Sequence, residues 1–116
     1  MSEVGSRDRE VLAALGRYAG SATLILSSLA DGAKHGYALT KDIEVFAGIK
    51  LAPGTLYEAL ARLERQGLIE AVASPDRRRP YQLTALGARV LGSHLTDQRR
   101  VAEVGLRRLA NTEALA

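Results

Sequence analysis

The stretch Leu51-Ala52-Pro53-Gly54-Thr55-Leu56-Tyr57-Glu58-Ala59-Leu60-Ala61-Arg62-Leu63-Glu64-Arg65-Gln66-Gly67 decides the fold. Pro53 suits the first position of a helix, where its missing N–H costs no hydrogen bond. Gly67 suits the stop, so a helix is predicted from Pro53 to about Gln66. On a helical wheel Leu56, Ala59, Leu60 and Leu63 share one side and form an apolar back. Gly54, Glu58, Ala61 and Arg65 lie opposite, with Tyr57 on one flank and Thr55 and Arg62 on the other. A helix that lies in a DNA major groove needs this division, an apolar back against its own protein and a polar front. An ordinary amphipathic surface helix shares it, so the neighbours must decide.

Downstream of Gly67 the texture changes. Residues 68–73 and 80–84 read as short extended segments around Ser74-Pro75-Asp76-Arg77-Arg78-Arg79, a hairpin with a basic tip. Three adjacent arginines repel one another without a partner, and their planar, donor-rich guanidinium groups suit phosphates or the minor groove. Thr84 is placed to cap a final helix reaching about Asn111, roughly 40 Å long at ~1.5 Å per residue. Such a helix is too long to pack wholly on its own small domain.

Upstream, helical spacing of Leu24, Ile25 and Leu29 predicts a helix over about 21–30, stopped by Asp31-Gly32-Ala33. Another is predicted from Gly36 to Ala47, burying Tyr37, Leu39 or Thr40, Ile43 and Phe46 and ended by Gly48. Val11, Leu12 and Leu15 give a further helical period before these. Helices followed by a basic hairpin and a long helix make a mainly α fold with a small β hairpin, a winged helix-turn-helix. A generic α+β domain with an incidental hairpin has the same elements.

Composition sets the outer limits. The 116 residues suit one domain, with 47% hydrophobic residues but one Phe and no Trp. No cysteine is present, which excludes disulfides, cysteine-based zinc clusters and thiol catalysis. The charge of +3 and pI near 9.6 are a mild basic excess. Residues 1–10 carry Glu3, Arg7, Asp8, Arg9 and Glu10 rather than an apolar signal core, and no apolar run approaches the ~20 residues of a membrane span. A soluble, cytoplasmic protein with no membrane association is expected. The sequence offers no phosphate loop and no Ser-His-acid spacing, so Ser27, Ser28, Asp31 and His35 read as helix-end polar residues rather than catalysts. His35 and His94 are too far apart in sequence to propose a metal; His35 reads as helping to begin a helix and His94 as lying near an interface. No catalytic residue, metal or cofactor is expected.

The residues also carry a family resemblance. Ala33-Lys34-His35-Gly36-Tyr37, then Leu51 to Tyr57, Ala59-Leu60, Arg62-Leu63-Glu64 and Gly67-Leu68-Ile69 resemble the PadR signature. Arg77-Arg78-Arg79-Pro80-Tyr81, with Leu83-Thr84 and Gly87, resembles that family's wing and the start of its last helix. The resemblance spans about 24–91 and implies a homodimeric winged-helix transcription regulator, commonly a repressor, that dimerises through its last helix; the short C-terminal part is similar to the one-helix subgroup. This chain departs from the family's habits at Ala33, where proline is frequent, at Ala52, where serine is frequent, and at Glu58, where proline is frequent.

The resulting expectations are specific. Residues 1–19 form an N-terminal helix associated with the dimer, 20–84 a winged-helix DNA-binding domain, and 85–116 a dimerisation helix. DNA contact is assigned to Tyr37, Lys41, Lys50, Gly54, Thr55, Tyr57, Glu58, Arg62 and Arg65, and to the wing residues Arg77, Arg78 and Arg79. In the last helix Leu91, Leu95, Gln98, Ala102, Gly105 and Leu109 alternate steps of four and three, a heptad seam. Its small central residues leave a groove that Val11, Leu12 and Leu15 could fill. The partners expected are double-stranded DNA, as an inverted-repeat operator, and a second copy of the chain. A small-molecule effector finds no support, since no aromatic residue occurs between Leu86 and Ala116. The competing function is a winged-helix protein-interaction module, in which Glu58 and the arginines face a protein.

Overall fold

The computed structural model describes residues 20–75 and 78–115. Its elements run α1 (Ser21–Leu29), α2 (Gly36–Ala47), α3 (Pro53–Arg65), β1 (Ile69–Ala71), β2 (Tyr81–Leu83) and α4 (Ala85–Leu115). Among the described residues the order and type are those expected from sequence, with a mainly helical domain and one antiparallel hairpin; the helix expected within 1–19 lies outside them. The strands are shorter than expected, and α4 runs past Asn111.

Local chemistry accounts for most boundaries. His35 caps α2, its Nδ1 accepting from the Ala38 N–H, and Gly48 ends the helix in the left-handed conformation. Ala52 gives α3 no side-chain cap, so Pro53 alone favours its start. Arg62 and Arg65 in the last turn complement the negative end of the dipole. The end of α3 is a Schellman motif: the Leu68 N–H donates to the Leu63 carbonyl and the Gly67 N–H to that of Glu64, both at 3.0 Å. That motif needs a positive φ at residue 67, and glycine adopts 76° there without strain.

The core gathers Ile25, Leu26 and Leu29 of α1, Leu39 and Ile43 of α2, the four apolar residues of α3, Ile69 of β1 and Leu91 of α4. Two expected core residues are elsewhere. Tyr37 is 67% exposed, because at ~100° per residue it lies roughly 160° around α2 from Leu39. Phe46 shares the face of Leu39 but sits at the end of the helix, 50% exposed at the rim of a shallow cleft with Ser27, Ala30 and Asp42. Ser28 is a helix-end polar residue, as expected, but a buried one, and its hydroxyl donates to Asp42 Oδ2 at 2.6 Å. That bond ties α1 to α2 and satisfies a hydroxyl that would otherwise be costly to bury.

The hairpin pairs Ile69 with Leu83, Glu70 with Gln82 and Ala71 with Tyr81. A third segment joins it, since Lys34 and Tyr81 exchange backbone hydrogen bonds of 3.0 and 2.9 Å. The wing is therefore registered against the loop between α1 and α2. Thr84 caps α4 as expected: its Oγ1 accepts from the Gly87 N–H at 3.0 Å and donates to the Gly67 carbonyl at 2.6 Å. Gly87 is pressed onto the start of β1, where an added Cβ would stand 2.0 Å from the Leu68 carbonyl oxygen. Only a residue without a side chain lets the helix and strand meet so closely. No described helix is long and apolar enough to cross a membrane.

Candidate nucleic-acid interface

α3 is held by its back. Leu56, Ala59, Leu60 and Leu63 are all buried, while Gly54, Thr55, Tyr57, Glu58, Ala61, Arg62 and Arg65 are exposed. The wheel drawn from sequence thus describes the folded helix residue by residue. The wing and the start of α2 lie on the flank of α3 that carries Tyr57 and Glu64. Tyr57 leans over the start of α2, where a side chain at Gly36 would come within 3.0 Å of its hydroxyl. Glu64 pairs with Arg79 of the wing at 3.5 Å.

Around that junction the expected contact residues fall into two groups. Tyr37, Tyr57, Arg78 and Arg79 come together with His35 and Tyr81 around a half-open cavity of about 380 Å³. Lys50 lines a second hollow with Tyr37, Tyr57 and Pro53. The Lys41 ammonium lies 5.3 Å from the centre of the Tyr37 ring, and the Arg79 guanidinium 5.9 Å from that of Tyr81. Both are cation–π distances. Gly54, Glu58, Arg62 and Arg65 remain on the open front of α3, outside both hollows. Arg77 lies outside the described residues.

Sequence reasoning missed three contacts here. It took Arg79 as a plain wing cation and overlooked its Glu64 partner. It did not foresee that Lys34 tethers the wing through its backbone while its ammonium bonds to the Asp31 carboxylate and the Ser28 carbonyl. Lys34 holds the Asp31 carboxyl below the usual carboxylate range, by hydrogen bonding first and charge second. It also gave His35 a capping role alone, although the ring approaches Arg78 within 3.4 Å. The Lys34-His35-Gly36-Tyr37 run signalled importance, but spacing could not say that it touches a hairpin more than 40 residues later.

The proposed seam on α4 divides. Leu91 is 5% exposed and belongs to the core of its own domain, because the first turns of α4 are pressed against α1, β2 and Leu68. Leu95, Gln98, Ala102, Gly105 and Leu109 are exposed further along. His94 is engaged within the chain, its Nε2 lying 3.1 Å from Thr23 Oγ1 of α1. Val11, Leu12 and Leu15, and the segment 1–19 that holds them, lie outside the described residues.

A three-helix core, a helix with a free polar front and a hairpin beside it define a winged helix-turn-helix protein. Its sequence matches the model of the transcriptional regulator PadR-like family over residues 25–93, and the chain belongs to that family. It is 38% identical over 82 residues to a transcriptional regulator of Mycobacterium tuberculosis, across 68% of this chain and 72% of that protein. It is 47% identical over 68 residues to an uncharacterised 37.1 kDa transposon protein of Streptomyces fradiae; the match takes in 59% of this chain but spans only 20% of that protein's length. Among solved structures, a PadR family transcriptional regulator from Eggerthella lenta is similar with a TM-score of 0.67 and 29% identity, over 90% of this chain and 96% of that one. The chain is thus a transcriptional regulator of the DNA-binding winged-helix kind.

Proposed function

We infer that this regulator acts as a homodimeric repressor, working in the cytoplasm on an inverted-repeat operator. The observation that carries the reading is the arrangement of α3: its whole apolar back is in the core, and its polar front stands free beside an arginine-bearing wing. In this reading Gly54, Thr55 and Glu58, near the start of α3, meet base edges in the major groove. Tyr37, Lys41, Lys50, Tyr57, Arg62 and Arg65 border that face and take backbone or flanking contacts. Arg77, Arg78 and Arg79 hold phosphates or enter the minor groove. The second copy docks along α4 through Leu95, Gln98, Ala102, Gly105 and Leu109, with Val11, Leu12 and Leu15 filling the groove between the small residues.

Selection of bound duplexes from a random DNA library tests the reading and returns the operator together. The expected product is a two-fold-symmetric sequence whose half-sites are centred about one helical turn apart, roughly 34 Å, or a multiple of it. Recovery of no enriched sequence would remove specific DNA binding and leave the protein-interaction module in its place.

A further inference from the structure

Of the three lysines in the chain, Lys41 and Lys50 are exposed, but the side chain of Lys34 is only 17% exposed and turned inward. Its ammonium donates to the Ser28 carbonyl and to the Asp31 carboxylate. The first of these acceptors explains the turn. α1 ends at Leu29, so the Ser28 carbonyl belongs to the last four, which find no partner within the helix. Ser28 is buried, and a buried carbonyl left without a donor is costly. The carbonyls of Ser27 and Leu29 on either side are served by the Ala30 and Gly32 N–H groups, both at 3.2 Å. Lys34 supplies the donor that the backbone does not.

The main chain of Lys34 does a second job. Its N–H and carbonyl are the two groups that pair with Tyr81, and neither Gly32 nor Ala33 before it has a side-chain group that could fix the loop. One residue thus grips α1 with its side chain and the wing with its backbone. Behind it the Ser28 hydroxyl is bonded to Asp42 of α2. Ahead of it the Tyr81 ring lies under the Arg79 guanidinium. A continuous line of contacts therefore runs from the two helices packed on the back of α3 to an arginine of the wing.

We propose that Lys34 is a positioning residue for DNA binding: it touches no DNA itself, and it fixes the base of the wing so that the wing arginines meet the DNA backbone in one orientation relative to α3. The proposal rests on the DNA-binding reading above and adds the residue that sets the wing. Each strand of the hairpin has three residues, and so short a pair is marginal by itself. Its added support is the bridge at Lys34, a single residue long. Such a bridge holds the wing only as firmly as Lys34 is itself held, and the ammonium is what holds it.

The discriminating variant is Lys34→Met, which keeps the apolar stem and loses the donor. Binding to the duplex recovered by selection should weaken about fivefold, the size of having to order one or two loose side chains on binding. In a background where Arg77, Arg78 and Arg79 are all changed to Ala, the same substitution should cost less than about twofold, because the wing it sets has nothing left to place. The four proteins are compared at an ionic strength low enough for all of them to bind. Hydrogen exchange at the Tyr81 amide should quicken about tenfold in Lys34→Met, while the amides of Ile43 and Leu60 in the core keep their wild-type rates. If Lys34→Met does not fold, Lys34→Gln, which keeps a shorter donor without the charge, takes its place in both measurements. An equal loss in both backgrounds would mean direct contact with DNA or a mere loss of charge, and would overturn the positioning role. Wild-type affinity in the variant, or wild-type exchange at Tyr81, would overturn it too and leave the DNA reading standing. If the triple alanine variant itself binds as tightly as wild type, the wing reading falls and the positioning role with it. Failure of wild type to bind any duplex would overturn the DNA reading as a whole.

Discussion

α3 and the outer part of α4 carry the same kind of pattern, apolar residues at helical spacing, and end in opposite situations. The apolar stripe of α3 is no more than 2% exposed anywhere along its length. On α4 the stripe is buried only at Leu91, after which Leu95 and Leu109 are 38% and 62% exposed. The difference lies in what each helix has beside it. α3 is flanked by α1, α2 and β1, whereas α4 leaves the domain after its first turns and runs on for a further 24 residues beyond Leu91. A stripe says that a face is to be covered; the neighbours decide by what.

Breaking the two stripes should therefore give different kinds of failure. The largest effect is expected from Leu95→Glu with Leu109→Glu. On the dimer reading two buried charges per helix abolish association, and sedimentation should show monomers whose winged domain is still folded by circular dichroism. A variant that stays dimeric would move the interface elsewhere. Next, Leu60→Ala should cost about 3 kcal/mol in denaturant unfolding at any protein concentration, since it empties a site in the core. The same truncation at Leu109 should leave the unfolding of dilute protein unchanged.

Smaller effects sharpen the polar side of α3. Glu58 stands on the open front, where a carboxylate can accept from a cytosine amine or simply repel phosphate. If it reads cytosine, Glu58→Ala should remove on the order of 1–3 kcal/mol of discrimination at one symmetric position per half-site. Equal tightening to every duplex would mean that it only repels. The smallest change is expected from Glu64→Gln. It releases Arg79 from a part-exposed pair worth about 0.5 kcal/mol, so affinity for all duplexes should rise roughly twofold. A drop instead would show that the pair holds the wing in its binding position.

Much of this was legible in the residues. Pro53, Gly67 and four apolar positions fixed α3 and its faces, because a local period and two end signals suffice for a helix whose back is covered. Thr84 and Gly48 announced their caps for the same local reason. What escaped was non-local or depended on helix length. Phe46 lies on the correct face yet past the end of the core, and Leu91 fits a heptad as well as it fits its own domain. The Glu64–Arg79 pair, the Lys34–Tyr81 bridge and the His35–Arg78 approach join segments that no spacing rule connects. Sequence located the hairpin, but only packing shows it fastened to the start of α2, and that fastening gathers the cavity.

The central claim is that DNA covers the front of α3 and the wing, not the outer length of α4. Backbone amide shifts, recorded by NMR as the selected duplex is added to full-length protein, test it most directly. The account predicts the largest changes at Gly54, Thr55, Tyr57 and Glu58 and at Arg78 and Arg79, with Val101 to Leu109 nearly unmoved. Changes concentrated on Val101 to Leu109, with Gly54 to Glu58 still, would contradict it.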